Sequence, residues 1–120
     1  MILNLTQHVL TEEQRKQGVV EPVDKNSIRS LLTFETLPSP LEIRQKAVEL
    51  ANVAKKEGAD NVMIGGAPFL MSSLEKELLK LNITPLYSFS KRESIDEIQL
   101  DGSVVKRAVF RHIGFVRSCI

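Results

Sequence analysis

The alternation of apolar and polar positions changes period several times along the chain, and each change marks an element. Ile2 to Leu5 is short and apolar and runs into Thr6-Gln7-His8, which predicts a buried strand ending in a polar turn. Thr11-Glu12-Glu13-Gln14 has capping-box spacing, in which the Thr side chain and the residue three places on satisfy each other's free backbone donors. The helix it opens should stop near Gly18. Residues 19–38 carry the weakest pattern: Asp24 can cap a short helix through Ile28, Leu31 and Leu32, and Leu37-Pro38 breaks whatever precedes it. Ser39-Pro40-Leu41-Glu42 is a clearer start, with a capping Ser, Pro in the first helical position and Glu three residues after the cap. Ile43, Ala47, Leu50, Ala51 and Ala54 then form one apolar stripe at helical spacing, and Gly58 is placed as the left-handed terminator.

Val62-Met63-Ile64 is a short apolar run that meets Gly65-Gly66. Pro68 then opens a helix with Met71, Leu74, Leu78 and Leu81 on one face. Ile83 to Phe89 reads as the next strand, so this strand-helix-strand unit calls for parallel pairing. Asp101-Gly102 lies between two runs of strand-forming residues, the sequence signature of a hairpin, with strands expected near residues 93–100 and 104–116. On the second of these, Val105, Arg107, Val109, Arg111, Ile113 and Phe115 should share one face and Lys106, Ala108, Phe110 and His112 the other. Neither face is cleanly apolar, which suits a sheet edge or a subunit contact. The pattern as a whole describes an α/β fold: a Rossmann-like, mostly parallel sheet flanked by helices, with a C-terminal β-hairpin.

Composition narrows the class. With 120 residues, 42% hydrophobic and 26% charged, the chain is expected to form a single domain over residues 1–120. No repeat and no linker divides it. No apolar run approaches the roughly 18 residues that span a bilayer, and Met1 to Leu5 lacks the marks of a secretion signal, so a soluble, cytoplasmic protein without a membrane partner is expected. The single cysteine, Cys119, cannot form an internal disulfide and fits a reducing compartment. Sixteen basic against fifteen acidic residues give a formal charge of +1, too little for a general DNA binder. Any nucleotide bound should be small and held locally.

In an open parallel sheet, ligands bind beyond the carboxyl ends of the strands. Three polar segments lie there: Asn4 to His8, Gly65 to Pro68, and Ser88 to Glu93. Gly65 and Gly66 allow close backbone approach by a phosphate or ribose, with a helix N-terminus behind them, although a Gly-Gly turn is more often simple turn geometry. Lys91-Arg92 after a strand could clamp an anion, Arg bridging two oxygens and Lys supplying a mobile charge; the plainer reading is an exposed basic turn balanced by Glu93. His8 has a pKa range suited to proton transfer, and His112 beside Arg111 shares the ambiguity between catalysis and structural hydrogen bonding. Two distant His residues and one terminal Cys give no zinc spacing, and no Walker or dinucleotide fingerprint is present, so neither metal nor cofactor is expected.

Three segments carry a likeness to a known family: His8 to Gln14 after the first strand, Ile83-Thr84-Pro85-Leu86-Tyr87-Ser88 running into Lys91-Arg92-Glu93, and Asp101-Gly102-Ser103-Val104 leading to Val109-Phe110-Arg111-His112. Together they span about half the chain, and the sequence through them resembles the small CRISPR-associated Csx-type proteins regarded as ring nucleases. That family has a Rossmann-like fold and degrades cyclic oligoadenylate, the second messenger of type III CRISPR defence. The resemblance implies a homodimer whose two-fold axis matches a symmetric ring, cyclic tetra-adenylate before larger ones. It also implies metal-independent attack of a ribose 2′-hydroxyl on the adjacent phosphate. On that basis Lys91 and Arg92 take the phosphate role, His8 proton transfer or positioning, and Thr6, Gln7, Gly65, Gly66 and Ser90 ligand binding. Gly65-Gly66-Ala67-Pro68 stands where the family has a looser glycine-containing turn. A non-catalytic module that senses or sequesters a small nucleotide fits the same residues, as does an interaction protein built on the hairpin.

Overall fold

Most helices begin where the sequence supplies an oxygen for the free amides of the first turn. In the computed structural model, which describes residues 1–118, Thr11 accepts from the Gln14 amide and Gln14 reaches back to the Thr11 amide, opening α1 (Glu12–Lys16). Asp24 accepts from the Ser27 amide to open α2 (Lys25–Leu32), and Ser39 from the Glu42 amide to open α3 (Pro40–Lys56). Gly18 and Gly58 follow α1 and α3 at φ +93° and +73°, a left-handed turn that costs glycine nothing. The fourth helix, α4 (Pro68–Lys80), starts at Ala67 with no side-chain cap. Cys119 lies outside the described residues.

The strands are β1 (Ile2–Asn4), β2 (Val19–Val20), β3 (Asn61–Ile64), β4 (Thr84–Ile98) and β5 (Val104–Arg117). They form one sheet in the order β2-β1-β3-β4-β5, parallel except for the antiparallel β4/β5 pair. The fold is thus a mostly parallel, helix-flanked α/β sheet ending in a hairpin, as the periodicity implied. Alternation along β1 and β3 sends Leu3, Val62 and Ile64 into one core with Ile28 and Leu32 of α2, Ala47, Leu50, Ala51 and Ala54 of α3, and Leu70, Leu74 and Leu78 of α4. The three alanines on the buried stripe of α3 let it approach its neighbours closely. Among the described residues the opposite face carries the short α1 as its one helix, which leaves β1, β3 and β4 room for polar groups on that side.

Two expectations about the C-terminal third are corrected. Lys91-Arg92 is not a turn between strands: β4 runs unbroken from Thr84 to Ile98, paired with β5 from Leu86/Arg117 to Ile98/Val104. That pairing satisfies the backbone of residues 88–93, and no Gly or Pro in that stretch breaks it. Phe115 does not share a face with Arg111: a register shift between Phe89/Ser90 places one extra residue in β5, and the Phe115 ring packs on His112 with centroids 4.8 Å apart. The hairpin closes over residues 99–103, with Gly102 at φ +84° and Asp101 accepting from the Ser103 amide. Its outer part, residues 94–98 and 104–108, is exposed on both faces. This arm stretches the molecule to 55 × 33 × 28 Å with a radius of gyration of 16.9 Å, where a compact chain of this length has roughly 14 Å.

Candidate functional site

The strand order changes direction between β1 and β3, and their carboxyl ends diverge there to leave a crevice. A pocket of about 390 Å³ opens at that point, lined by Thr6, Gln7, His8 and Thr11 after β1, Ile64, Gly65 and Gly66 after β3, and Tyr87, Ser88 and Ser90 of β4, among others. That is within the range of small-molecule sites. No Asp or Glu contributes to the lining, although the chain contains 15 acidic residues.

The wall after β1 is fixed from below by Asn4, which is wholly buried. Its Oδ1 accepts from the Thr6 amide at 2.9 Å and the Thr6 hydroxyl at 2.7 Å, while Nδ2 donates to the His8 carbonyl at 2.9 Å and to Glu21 at 2.8 Å. Lys25 at the start of α2 donates to the carbonyls of Thr6 and His8 and pairs with Glu21 at 3.1 Å. Arg29, one turn on, donates to the Gln7 carbonyl. Burial pushes the Glu21 carboxyl up, but the Leu10 amide, the Lys25 ammonium and the Asn4 amide outweigh it and hold its pKa below the usual value. The backbone of residues 6–8 is therefore held by carbonyl contacts, which frees the Gln7 and His8 side chains. Among the described residues the His8 imidazole has no protein hydrogen-bond partner.

Opposite this wall, a chain of polar groups crosses from α1 to β5. Gln14 donates to the Ser88 hydroxyl at 3.4 Å, Ser88 Oγ lies 2.7 Å from His112 Nδ1, and His112 Nε2 lies 3.0 Å from Gln17 Oε1. Burial holds the His112 pKa below its usual value, with Glu13 opposing weakly. On the other face of β4, Tyr87 donates to Glu75 of α4 at 2.7 Å, and Ser118 binds the same carboxylate. Burial and that carboxylate push the Tyr87 pKa well up, so its hydroxyl stays protonated.

Thr6, Gln7, His8, Gly65, Gly66 and Ser90, all singled out from the sequence, are brought together around this pocket. Lys91 and Arg92 are not brought together. Neighbours in a strand point to opposite faces, so Arg92 lies on the side of Ser88 and Ser90, one strand repeat beyond the pocket, and Lys91 lies on the side of Glu93 and Arg111, themselves 3.5 Å apart. The pair cannot grip one anion from a single chain. Gln14, Gln17, Ser88 and His112 join the site without having been assigned to it. Ser88 opens one of the polar segments at a strand end and His112 carries the ambiguity between catalysis and structural hydrogen bonding, whereas Gln14 is legible only as a capping residue and Gln17 carries no signal. A Cβ at Gly65 would meet only the Thr6 methyl, at an ordinary 3.6 Å, so the core does not demand glycine there.

A second hollow, about 510 Å³ between α2 and α3, offers Arg29 and Lys46 beside Glu35 and Glu42. Lys46 is already engaged by the Thr33 carbonyl, Glu42 and the Phe34 ring, which leaves the hollow electrostatically balanced. Among the described residues no group of three or more His, Cys, Asp or Glu could hold a metal ion. Among the same residues no helix is long and apolar enough to cross a membrane.

Fold and pocket together define an open α/β protein with a carboxylate-free crevice of mixed apolar and polar lining at the point where its strand order reverses. Within that class the chain belongs to the uncharacterized protein MJ1673 family, whose model matches residues 1–116. No curated protein and no solved structure matches the chain.

Proposed function

We propose that this chain is a ring nuclease, which binds cyclic oligoadenylate, cyclic tetra-adenylate by preference, and opens it by attack of a ribose 2′-hydroxyl on the adjacent phosphate. The observation that carries this reading is the pocket lining: an apolar surface from Val9, Met63, Ile64 and the Tyr87 ring that suits a base, set among hydroxyls, amides and a free imidazole, with no carboxylate to repel an anionic ligand. Two further features support it. The α4 N-terminus behind Gly66 has no side-chain cap; Pro68 has no amide proton and the Leu70 and Met71 amides bond the Ala67 carbonyl, so what it offers a phosphate is chiefly the positive end of its dipole. Arg29 and Lys25 back the opposite wall through the carbonyls they hold. Arg92, on the pocket face of β4, takes the phosphate role. His8 positions the ring at the rim, and Thr6, Gln7, Gly65, Gly66 and Ser90 contact it. The products are a linear oligoadenylate with a 2′,3′-cyclic phosphate, formed without metal, in the cytoplasm and without DNA.

A pocket of about 390 Å³ holds only part of such a ring, so two chains related by a two-fold axis each supply a half-site. The hairpin arm supports that arrangement. It exposes Ile98, Val104, Val105 and Phe110, and an isolated two-stranded ribbon is only marginally stable in water without a surface to pack on. Titration of cyclic tetra-adenylate into the protein by calorimetry tests the reading: one ring per two chains is expected, with loss of binding in Gly65→Val, which fills the pocket beside Thr6. Absence of binding by both the tetra- and hexa-adenylate rings would overturn it.

A further inference from the structure

Ser88 presents an exposed hydroxyl to the pocket, and the groups behind it fix the direction of every hydrogen bond it makes. Gln17 spends its side-chain nitrogen on the Ile113 carbonyl at 3.2 Å, which turns its oxygen toward His112. An amide oxygen only accepts, so the His112 proton sits on Nε2 and Nδ1 carries the lone pair. The Ser88 hydroxyl, 2.7 Å away, must therefore donate to Nδ1. Gln14 is set the same way: its oxygen accepts from the Thr11 amide at 3.0 Å, and its nitrogen donates to Ser88. One lone pair of Ser88 Oγ is left, and the pocket is the side left open. His112 is 5% exposed, packed at a 60° tilt against Phe115 and hydrogen-bonded at both ring nitrogens, which holds its ring in the orientation this chain requires.

We propose that Ser88 is the proton-accepting catalytic residue of the pocket, made basic by His112, whose tautomer Gln17 fixes. His112 and Gln17 do not touch a ligand and act as positioning residues. The chemistry assigned to Ser88 rests on the ring-opening reading; its activation does not. As a 2′-oxygen bonds to phosphorus, its proton passes to Ser88 Oγ and the Ser88 proton passes to His112 Nδ1. The bond from phosphorus to the 5′-oxygen breaks, that oxygen takes a proton from water, and the imidazolium returns its proton to Ser88 Oγ as Ser88 passes one to the hydroxide so formed. From α1 the charge that acts on the ring is that of Glu13; β4 presents neutral Ser88 and Ser90 before Arg92, and β5 presents Phe115. Burial keeps the imidazole neutral and able to accept. Gln17 in place of a carboxylate orients the ring without stabilising its charged form, so protonation of His112 shuts the relay on the acid side.

Diisopropyl fluorophosphate tests the activation without any nucleotide: Oγ bonds to phosphorus, fluoride leaves, and the proton goes to His112. Peptide mass mapping should find Ser88 modified, at a rate that rises with pH along one titration below the usual histidine value. His112→Gln, folded by circular dichroism, should slow modification at least about a hundredfold. Gln17→Glu should move the titration to higher pH, a shift that a merely structural histidine would not produce. An unmodified Ser88, or His112→Gln labelling as fast as the parent chain, would overturn the proposal. Labelling of Ser88 in a protein that leaves cyclic oligoadenylate intact would uphold the relay and remove the ring-nuclease reading instead.

Discussion

Replacing Asn4 by Asp changes one atom type in the floor of the site and should invert the way stability responds to pH. Asn4 is fully buried and donates through Nδ2 to the His8 carbonyl at 2.9 Å and to Glu21 at 2.8 Å. In Asn4→Asp those donations are lost, and a carboxylate oxygen faces a carbonyl and a second carboxylate. A neutral hydrogen bond contributes about 1 kcal/mol and one to a charged group about 1.5 kcal/mol at the low end, the end appropriate to a Glu21 that solvent reaches. Repulsion between the two carboxylates, discounted for the same exposure, adds on the order of 0.5 kcal/mol. The variant should therefore be about 3 kcal/mol less stable at pH 7.5. In the parent chain the Glu21 pKa is depressed, so its contribution is present above the unfolded-state pKa and is lost as pH falls through the folded one. In Asn4→Asp one carboxyl of the pair is raised instead, so stability is recovered as pH falls from 7.5 toward 5.5. Urea unfolding of both proteins at the two pH values measures this. A variant within about 1 kcal/mol of the parent at pH 7.5, or one that loses stability on acidification, would show that Asn4 does not support the loop as described.

Arg92→Ala should lower ring turnover tenfold or more with an unchanged thermal midpoint, whereas Lys91→Ala, on the opposite face of β4, should cost much less; single-turnover assays of the two separate them. Leu74 is fully buried between α4 and the sheet, and Leu74→Ala should lose about 2–5 kcal/mol by urea unfolding. His112 is held neutral by burial, so the folded state resists protonation: stability should fall as pH drops below the usual histidine value toward the depressed folded one, and His112→Gln should abolish that slope in thermal melts.

Local chemistry made much of the fold legible. The Thr11 box, the Ser39 cap and the Asp101-Gly102 turn each act within a few residues, and each forms as its spacing implied. The two-residue strand β2 was invisible because a length of two has no period. The continuity of β4 through Lys91-Arg92 is set by its partner strand, and the face of Phe115 by one extra residue opposite Phe89/Ser90. Thr6, Gln7, His8, Gly65 and Gly66 could be assembled from the rule that sites lie beyond strand ends, because each closely follows a strand, whereas Ser90 lies inside β4 and reaches the pocket by the alternation of side chains along it. The supporting groups could not. Asn4, Glu21 and Lys25 meet through hydrogen bonds spanning up to 19 residues, and Gln17 meets His112 across 95, separations at which only the completed sheet sets the distance.

The most direct measurement is incubation of the protein with cyclic tetra-adenylate in excess EDTA, with chromatography and mass analysis of the products. Linear oligoadenylate ending in a 2′,3′-cyclic phosphate is expected, formed at a rate that Arg92→Ala reduces. An intact ring after many hours at enzyme excess, with cyclic hexa-adenylate intact as well, would contradict the assignment of this pocket to ring opening.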